Sequence, residues 1–489
     1  MKRRLLMIGV TGALVVGMLG AALAAITDFG LFRDGQLRAK SSDLFGVTGL
    51  APVLNSSITS ANPAAATLDP RKLATFAKSL HVRVVSKGVT APNVDMMVLW
   101  PDDTDPTHLI FCNEQGVADP GVQRLDLATG EVDTILTGTV SCDPLHATPW
   151  GSIVFGEEAG GGASGGRMYE LIHPLNTTNV LLDRATGQFT NGAGGEGAGN
   201  IVARGALGRL SFEGIGLLPT GVAYYGDENR PNVGNAGGSY FKFIPTALRA
   251  PGAGPITDLS QSPLTAGSVY GLRVGKRNNN TDYGWGTETG LGIWVLMGTA
   301  PDADLRALAA TAKLTAYYRP EDLAFDGAQY DAGNVKFCGN NTGNEASGHT
   351  WGTTICVTDG TFAQAGANTA TPEVQLFVVG NPQLAMMDNI AYQPGRGNWV
   401  IHEDGDNTAT GRNNDLWLCL PDRADVDQQA DGCIRIATLN DLGPSGAPNA
   451  GEGVEWTGGV FDSTGQRFFV SVQHNMTGHG VILEITGWE

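Results

Sequence analysis

Positive charge is scarce in this chain. Its 489 residues carry 31 Lys+Arg against 49 Asp+Glu, a formal net charge of −18. A surface this acidic repels phosphate backbones and anionic lipid, which excludes nucleic acid and membrane surfaces as partners. Long helical periodicity is also nearly missing. The clearest exception is Asp302 to Lys313, where Leu305, Leu308 and Ala309 recur at helical spacing. No CxxC occurs, so a zinc ribbon or a thioredoxin-like site is excluded. Ser152 is not set in a Gly-x-Ser-x-Gly elbow, and the glycine-rich run Gly160–Gly166 has no phosphate-loop lysine. His173, His349, His402, His474 and His479 show no metal-binding spacing. After about residue 25 no run is long and apolar enough to cross a bilayer.

What is present begins with Met1-Lys-Arg-Arg4 and an apolar run that ends near Ala22-Leu23-Ala24. That order predicts a signal peptide over 1–25 and an exported chain, periplasmic, cell-surface or secreted, with no membrane contact after cleavage. The even set Cys112, Cys142, Cys338, Cys356, Cys419 and Cys433 then reads as disulfides. Six cysteines allow fifteen connectivities. Closeness in the chain favours Cys338–Cys356 and Cys419–Cys433, leaving Cys112–Cys142.

The 69 glycines punctuate short apolar runs, and strand–turn–strand patterns recur, as in Val122–Leu136 around Thr129-Gly130 and Val180–Phe189 around Thr186-Gly187. Three stretches align with one another: Leu323–Cys338, Ile390–Ile401 and Gly459–Val470. They repeat at about 70 residues, and fainter copies lie at Leu217–Tyr225, Thr148–Phe155 and Val98–Phe111. About six units of strand, glycine turn and strand predict an all-β fold. The expected architecture is a six-bladed β-propeller over 86–489 with a helical and loop insertion, led into by an N-terminal extension over 26–85.

Polar residues fall at one phase of this repeat. The second strands end on Asn113-Glu114, Glu157-Glu158, Asp227-Glu228, Asn340-Asn341, Glu403-Asp404 and Gln473-His474. Others stand just ahead of the repeats: Asp143, Glu213, Glu321-Asp322 and Asp388-Asn389. In a propeller, equivalent positions of successive blades meet at one end of the channel. Converging carboxylates resist ionisation unless a cation sits among them, and oxygen-rich clusters of this kind suit Ca²⁺.

The ordered motifs resemble the PhoX family of alkaline phosphatases. They are Trp150–Glu158, Leu207–Glu213, Tyr225-Gly-Asp227, Arg319-Pro-Glu321-Asp322, Asn340-Asn341 with Gly348-His349, and Phe469–His474. The resemblance implies an exported propeller that hydrolyses phosphomonoesters with several Ca²⁺ ions and two ferric ions at the channel mouth. Carried over by motif, it implies Glu157, Glu158, Glu213, Asp227, Glu321 and Asp404 as metal ligands, with Asp388 as a further candidate. It implies Arg319 as the group that holds the phosphate of a small phosphoester substrate. Where the family has an iron-binding cysteine ahead of the Glu-Glu pair, this chain has Gly156, which offers no side-chain ligand. The expected function is therefore a metal-dependent phosphoester hydrolase using Ca²⁺, with Fe³⁺ lacking one ligand. The alternative is a non-catalytic calcium-binding propeller that serves as a binding or assembly module.

Overall fold

Alternating apolar runs joined by glycine turns fold here as antiparallel meanders, and the meanders close into a ring. The computed structural model describes residues 29–86, 90–231, 237–274, 288–343, 349–405, 407–423, 427–441 and 453–489. The signal peptide expected over 1–25 and Gly348 of the Gly348-His349 motif lie outside these residues.

Six inner strands face the axis: Val94–Trp100, Cys142–Ala147, Phe212–Leu217, Pro320–Phe325, Met387–Tyr392 and Glu455–Phe461. Each packs against the next in chain order, and the sixth packs against the first. Each also pairs antiparallel with a second strand: His108–Asn113, Ile153–Glu157, Ala223–Asp227, Asn334–Asn341, Trp399–Glu403 and Phe468–Gln473. Two further strands complete every blade. The result is a six-bladed β-propeller. Its core is the stack of apolar faces between neighbouring blades, such as Ile110, Val122, Leu145 and Phe155 between blades 1 and 2.

The ring closes through the N-terminal segment. His81–Val84 forms the outer strand of blade 6 by pairing with Val481–Thr486, and Ala74–Phe76 adds an edge strand to blade 5. The segment 26–85, expected only to lead into the propeller, thus supplies two of its strands. A sequence search that looks for complete local repeats misses this, because blade 6 draws its strands from both ends of the chain.

The insertions decorate the rim. The hairpin Thr178–Asp183 and Gln188–Glu196 leaves blade 2 and extends blade 1. Gly290–Gly298 pairs with blade 3 on one side and blade 4 on the other, merging the two into a nine-stranded sheet. The helix expected near residues 302–313 is Leu305–Ala312, started by Asp304, whose side chain accepts from the Ala307 N–H. The disulfides are Cys112–Cys142, Cys338–Cys356 and Cys419–Cys433. The last two join directly opposed residues of neighbouring strands, and the first ties blade 1 to blade 2. Three disulfides fit an oxidising compartment. Among the described residues no helix is long and apolar enough to cross a membrane.

Candidate metal centre

Five inner strands carry the same irregularity near their N-terminal ends. Two inner-strand residues oppose one residue of the second strand: Asp95-Met96, Asp143-Pro144, Glu213-Gly214, Glu321-Asp322 and Asp388-Asn389. A bulge of this kind re-aims its side chains, and each bulge opens on an acid. Blade 6 pairs regularly at this point and places Glu455 there instead.

The second strands end at the same level and deliver Glu114, Glu158, Glu228, Thr342, Asp404 and His474. A repeated backbone bond fixes the first five. Their N–H groups donate to the carbonyls of Asn93, Ser141, Ser211, Arg319 and Met386, at 2.8 to 3.0 Å. Four of those acceptors, Asn93, Ser141, Arg319 and Met386, hold a left-handed backbone with φ between 41° and 56°. Each stands two residues ahead of its blade's inner-strand acid. Non-glycine residues persist in that conformation where the surroundings over-determine them. In blade 4 the repeat position is Asn341-Thr342, one residue beyond the expected Asn340-Asn341.

The two sets face one another. Among the described residues, Asp388, Asp404 and Glu455 each offer one carboxylate oxygen, and these three oxygens lie within 4.8 Å of one another. Gln473 donates to Glu114 at 2.8 Å and to Asp95 at 3.4 Å. Thr342 donates to Glu321 at 2.5 Å, and His474 stands 3.3 Å from Glu455. Arg319 reaches into the acids: its Nε lies 2.7 Å from Glu228 and 3.0 Å from Glu321, and its terminal nitrogens donate to Asp404 at 3.2 Å.

Burial together with mutual repulsion raises most of these carboxyls. Desolvation comes first for Asp95, Glu158, Glu213, Asp388 and Glu455, then the charge of neighbouring acids. Asp143 is pushed up to about 7 and Glu321 to about 8, in both cases mainly by burial. For Asp404 and Glu228 desolvation is outweighed by the Arg319 guanidinium, and both lie below the ordinary carboxylate range. One arginine cannot neutralise so many acids. Asp95 Oδ1 and Asn389 Oδ1 are moreover buried without a hydrogen-bond partner. Crowded oxygen donors with acceptors left over fit one or more hard cations.

The expected ligands divide by strand phase. Successive side chains of a strand point to opposite faces, so the two members of an acidic pair cannot both face the axis. Glu158 joins the axial acids, whereas Glu157 turns into the blade, where Arg184 Nε pairs with it at 2.6 Å and Tyr169 donates to it at 3.0 Å. Asp227 likewise turns away and pairs with Arg306 at 2.6 Å, while its neighbour Glu228 faces Arg319. Glu403 repeats the pattern, held by Arg412 at 2.5 Å. The structure thus brings together Glu158, Glu213, Glu321, Asp388, Asp404 and Arg319, and sets Glu157 and Asp227 in ion pairs with rim arginines. From the wider ring of polar positions it draws in Glu114, Asp143 and Glu228, and beyond that ring it adds Asp95 and Glu455. Asp95 was signalled by a lone acid inside the apolar run Val94–Trp100, and Glu455 by its place just before Trp456 in the final repeat.

Gly156 lies opposite the Asp143-Pro144 bulge. A Cβ there would meet Met168 Sδ at 2.3 Å and Pro144 Cγ at 2.9 Å, so no side chain fits without displacement. All six cysteines are spent in disulfides. The donor set therefore holds no thiolate and does not reproduce an iron site that requires one.

No protein-family model matches the chain, and no curated protein matches it in sequence. Solved structures do match. The structure of Pseudomonas fluorescens PhoX in complex with vanadate, a transition state analogue, is similar over 88% of this chain and 97% of that chain, with a TM-score of 0.55 and 15% identity. The PQQ-bound aldose sugar dehydrogenase of Streptomyces coelicolor aligns over 84% of this chain and 99% of its own, with a TM-score of 0.41 and 14% identity. The first likeness is one of fold: a propeller of the PhoX kind.

Proposed function

We propose that this chain is a calcium-dependent phosphoester hydrolase of the PhoX type, acting at the acid-lined end of its channel. The observation that carries the proposal is Arg319, a guanidinium held among carboxylates that are too many to remain ionised without cations. The vanadate complex of the structurally similar PhoX supports the same chemistry.

Asp388, Asp404 and Glu455 would hold Ca²⁺, with Glu158, Glu213 and Glu321 as further donors. Bound there, such ions polarise phosphoryl oxygens and lower the pKa of a coordinated water. Arg319 has a separate task. Its two terminal nitrogens now donate to Asp404, and once that carboxylate is turned to a cation they are free to grip two oxygens of an anionic phosphoester. Glu228 stays on Nε and keeps the fork aimed. His402, opposite the Asp388-Asn389 bulge, takes no part: burial drives it down to about 3, so it is a neutral ring packed on Phe468.

The test is hydrolysis of p-nitrophenyl phosphate by the purified exported chain, with excess Ca²⁺ or with a calcium chelator. Turnover that needs Ca²⁺ and is lost in Arg319→Lys supports the proposal. A calcium-loaded chain with no turnover on phosphomonoesters or diesters overturns it. That outcome favours the second reading, a calcium-plugged binding module, for which the missing thiolate and the threefold pairing of Arg319 speak.

A further inference from the structure

Away from the channel, three groups converge between blades 3 and 4. Lys242, on the third strand of blade 3 (Tyr240–Pro245), and Asp359, on the third strand of blade 4 (Thr353–Thr361), are both fully buried. Lys242 Nζ lies 2.6 Å from Asp359 Oδ2, and the Tyr224 hydroxyl donates to the same oxygen at 2.6 Å. The other Asp359 oxygen is buried without a partner. The same Nζ also lies 3.2 Å from Oδ1 of Asn368, which ends the helix Phe362–Ala367 in a left-handed conformation with φ 51°. The walls are apolar: Tyr224, Leu272, Trp294, Val357, Ala365 and Val374 belong to one core cluster, and the Trp294 ring lies 5.5 Å from Nζ. Asn368 itself is half-buried.

We propose that Lys242 and Asn368 form an isopeptide bond, with Asp359 as the proton carrier. An amine, an amide and a carboxyl group in an apolar pocket hold everything that this bond requires. Desolvation, the largest influence on Lys242, lowers its pKa below that of an ordinary lysine, which favours the neutral, nucleophilic amine. The carbon to be attacked is one bond from the oxygen that Nζ already meets, which gives the held-together geometry that accelerates amide exchange.

The atoms balance without an oxidant or a co-reactant. The Lys242 ammonium gives a proton to Asp359. The free amine attacks Asn368 Cγ, a C–N bond forms, and the carbonyl pair moves onto Oδ1. Asp359 passes its proton to Nδ2, the C–Nδ2 bond breaks, and ammonia leaves. The new amide nitrogen returns a proton to Asp359. The product ties blade 3 to blade 4, at the rim where Gly290–Gly298 already merges their sheets.

The experiment is the intact mass of the reduced, denatured wild-type chain, followed by sequencing of its tryptic peptides. The expected result is a chain lighter by one ammonia. A branched peptide should join the Lys242 segment to the Asn368 segment, with no cleavage after Lys242. Lys242→Arg keeps the charge but cannot form the bond, and Asp359→Asn keeps the shape but cannot carry the proton. Both should return the chain to its full mass. Linear peptides from the wild type overturn the proposal. So does a mass deficit without the branch, or a link from Lys242 to Asp359 with loss of water.

Discussion

Glu157 and Glu158 are neighbours with opposite duties, and substitution separates them. Glu158→Gln removes a charged oxygen from the axial group, so Ca²⁺ affinity should weaken about tenfold or more. The melting temperature of the metal-free protein should hardly fall, because burial already raises that carboxyl. Glu157→Gln should do the reverse. It breaks the pair with Arg184, one partner of which is fully buried, and should destabilise by about 3 kcal/mol, the usual penalty for a half-removed buried pair, while Ca²⁺ binding is kept. Calorimetric Ca²⁺ titration beside thermal melts tells the two apart. A loss of Ca²⁺ affinity in Glu157→Gln alone would mean that the strand phase is read wrongly. Arg319→Ala poses the catalytic question at the same scale. With Ca²⁺ saturating, kcat/KM for a phosphomonoester should fall by about 10³-fold or more, the range for an arginine that stabilises a transferring phosphoryl group. An unchanged rate would leave Arg319 as a brace for Glu228 and Asp404 only.

At the level of strands, the closing of blade 6 makes the next prediction. His81–Val84 covers the edge of Val481–Thr486, with the Arg83–Glu484 pair across the two strands. Removing the chain through residue 86 should expose that edge and the buried Val481, Leu483 and Ile485, and exposed edges recruit other chains. Size-exclusion chromatography should then show aggregates, whereas a truncation that stops before residue 41 should stay monodisperse. Strand periodicity also explains how far the sequence could be read. The second strands of all six blades were legible, and the inner strands of blades 1, 4, 5 and 6, because paired apolar runs recur at a fixed phase, with a glycine turn between them in every blade but the first. The copies Thr148–Phe155 and Leu217–Tyr225 begin only where the inner strands of blades 2 and 3 end. The closing strand was not legible, since His81–Val84 has no repeat partner beside it in the chain. The axial site was legible as a ring of acids but not residue by residue. The pairs at 157–158, 227–228 and 403–404 read as equals until alternation assigns one member to the axis and the other to Arg184, Arg306 or Arg412. The bulges that swing Asp95 and Asp143 onto the axis leave no mark in composition, because they arise from register between strands.

Over the whole molecule the axial acids make stability depend on pH in an unusual direction. Most structural carboxylates are held low, and the stability they contribute is lost in acid. Here Asp143 is raised from 3.8 to about 7 and Glu321 from 4.5 to about 8, and Asp322, beside Glu321 and turned to the Leu323 and Ile390 N–H groups, from 3.8 to about 8, each mainly by burial. Without metal these three groups bind more protons in the folded chain than in the unfolded chain between about pH 4 and pH 8, whereas His146 and His402, lowered from 6.5 to about 4 and about 3, bind fewer below about pH 6.5. By linkage, the contribution of the three acids is fully present below the unfolded values and is lost as the pH rises through the folded ones. Asp404 and Glu228, held low by Arg319, act in the opposite sense, but only in more acidic solution. The chelator-treated protein should therefore melt at progressively lower temperature from pH 5 to pH 8. Ca²⁺ should cancel this decline, because it binds the ionised form and competes with protons for the same oxygens. The Ca²⁺-induced rise in melting temperature should accordingly grow with pH across that range. A metal-free protein whose melting temperature rises from pH 5 to pH 8, with a calcium effect that is flat in pH, would mean that the axial acids carry no shared burden of charge. It would remove the physical ground for placing cations among them.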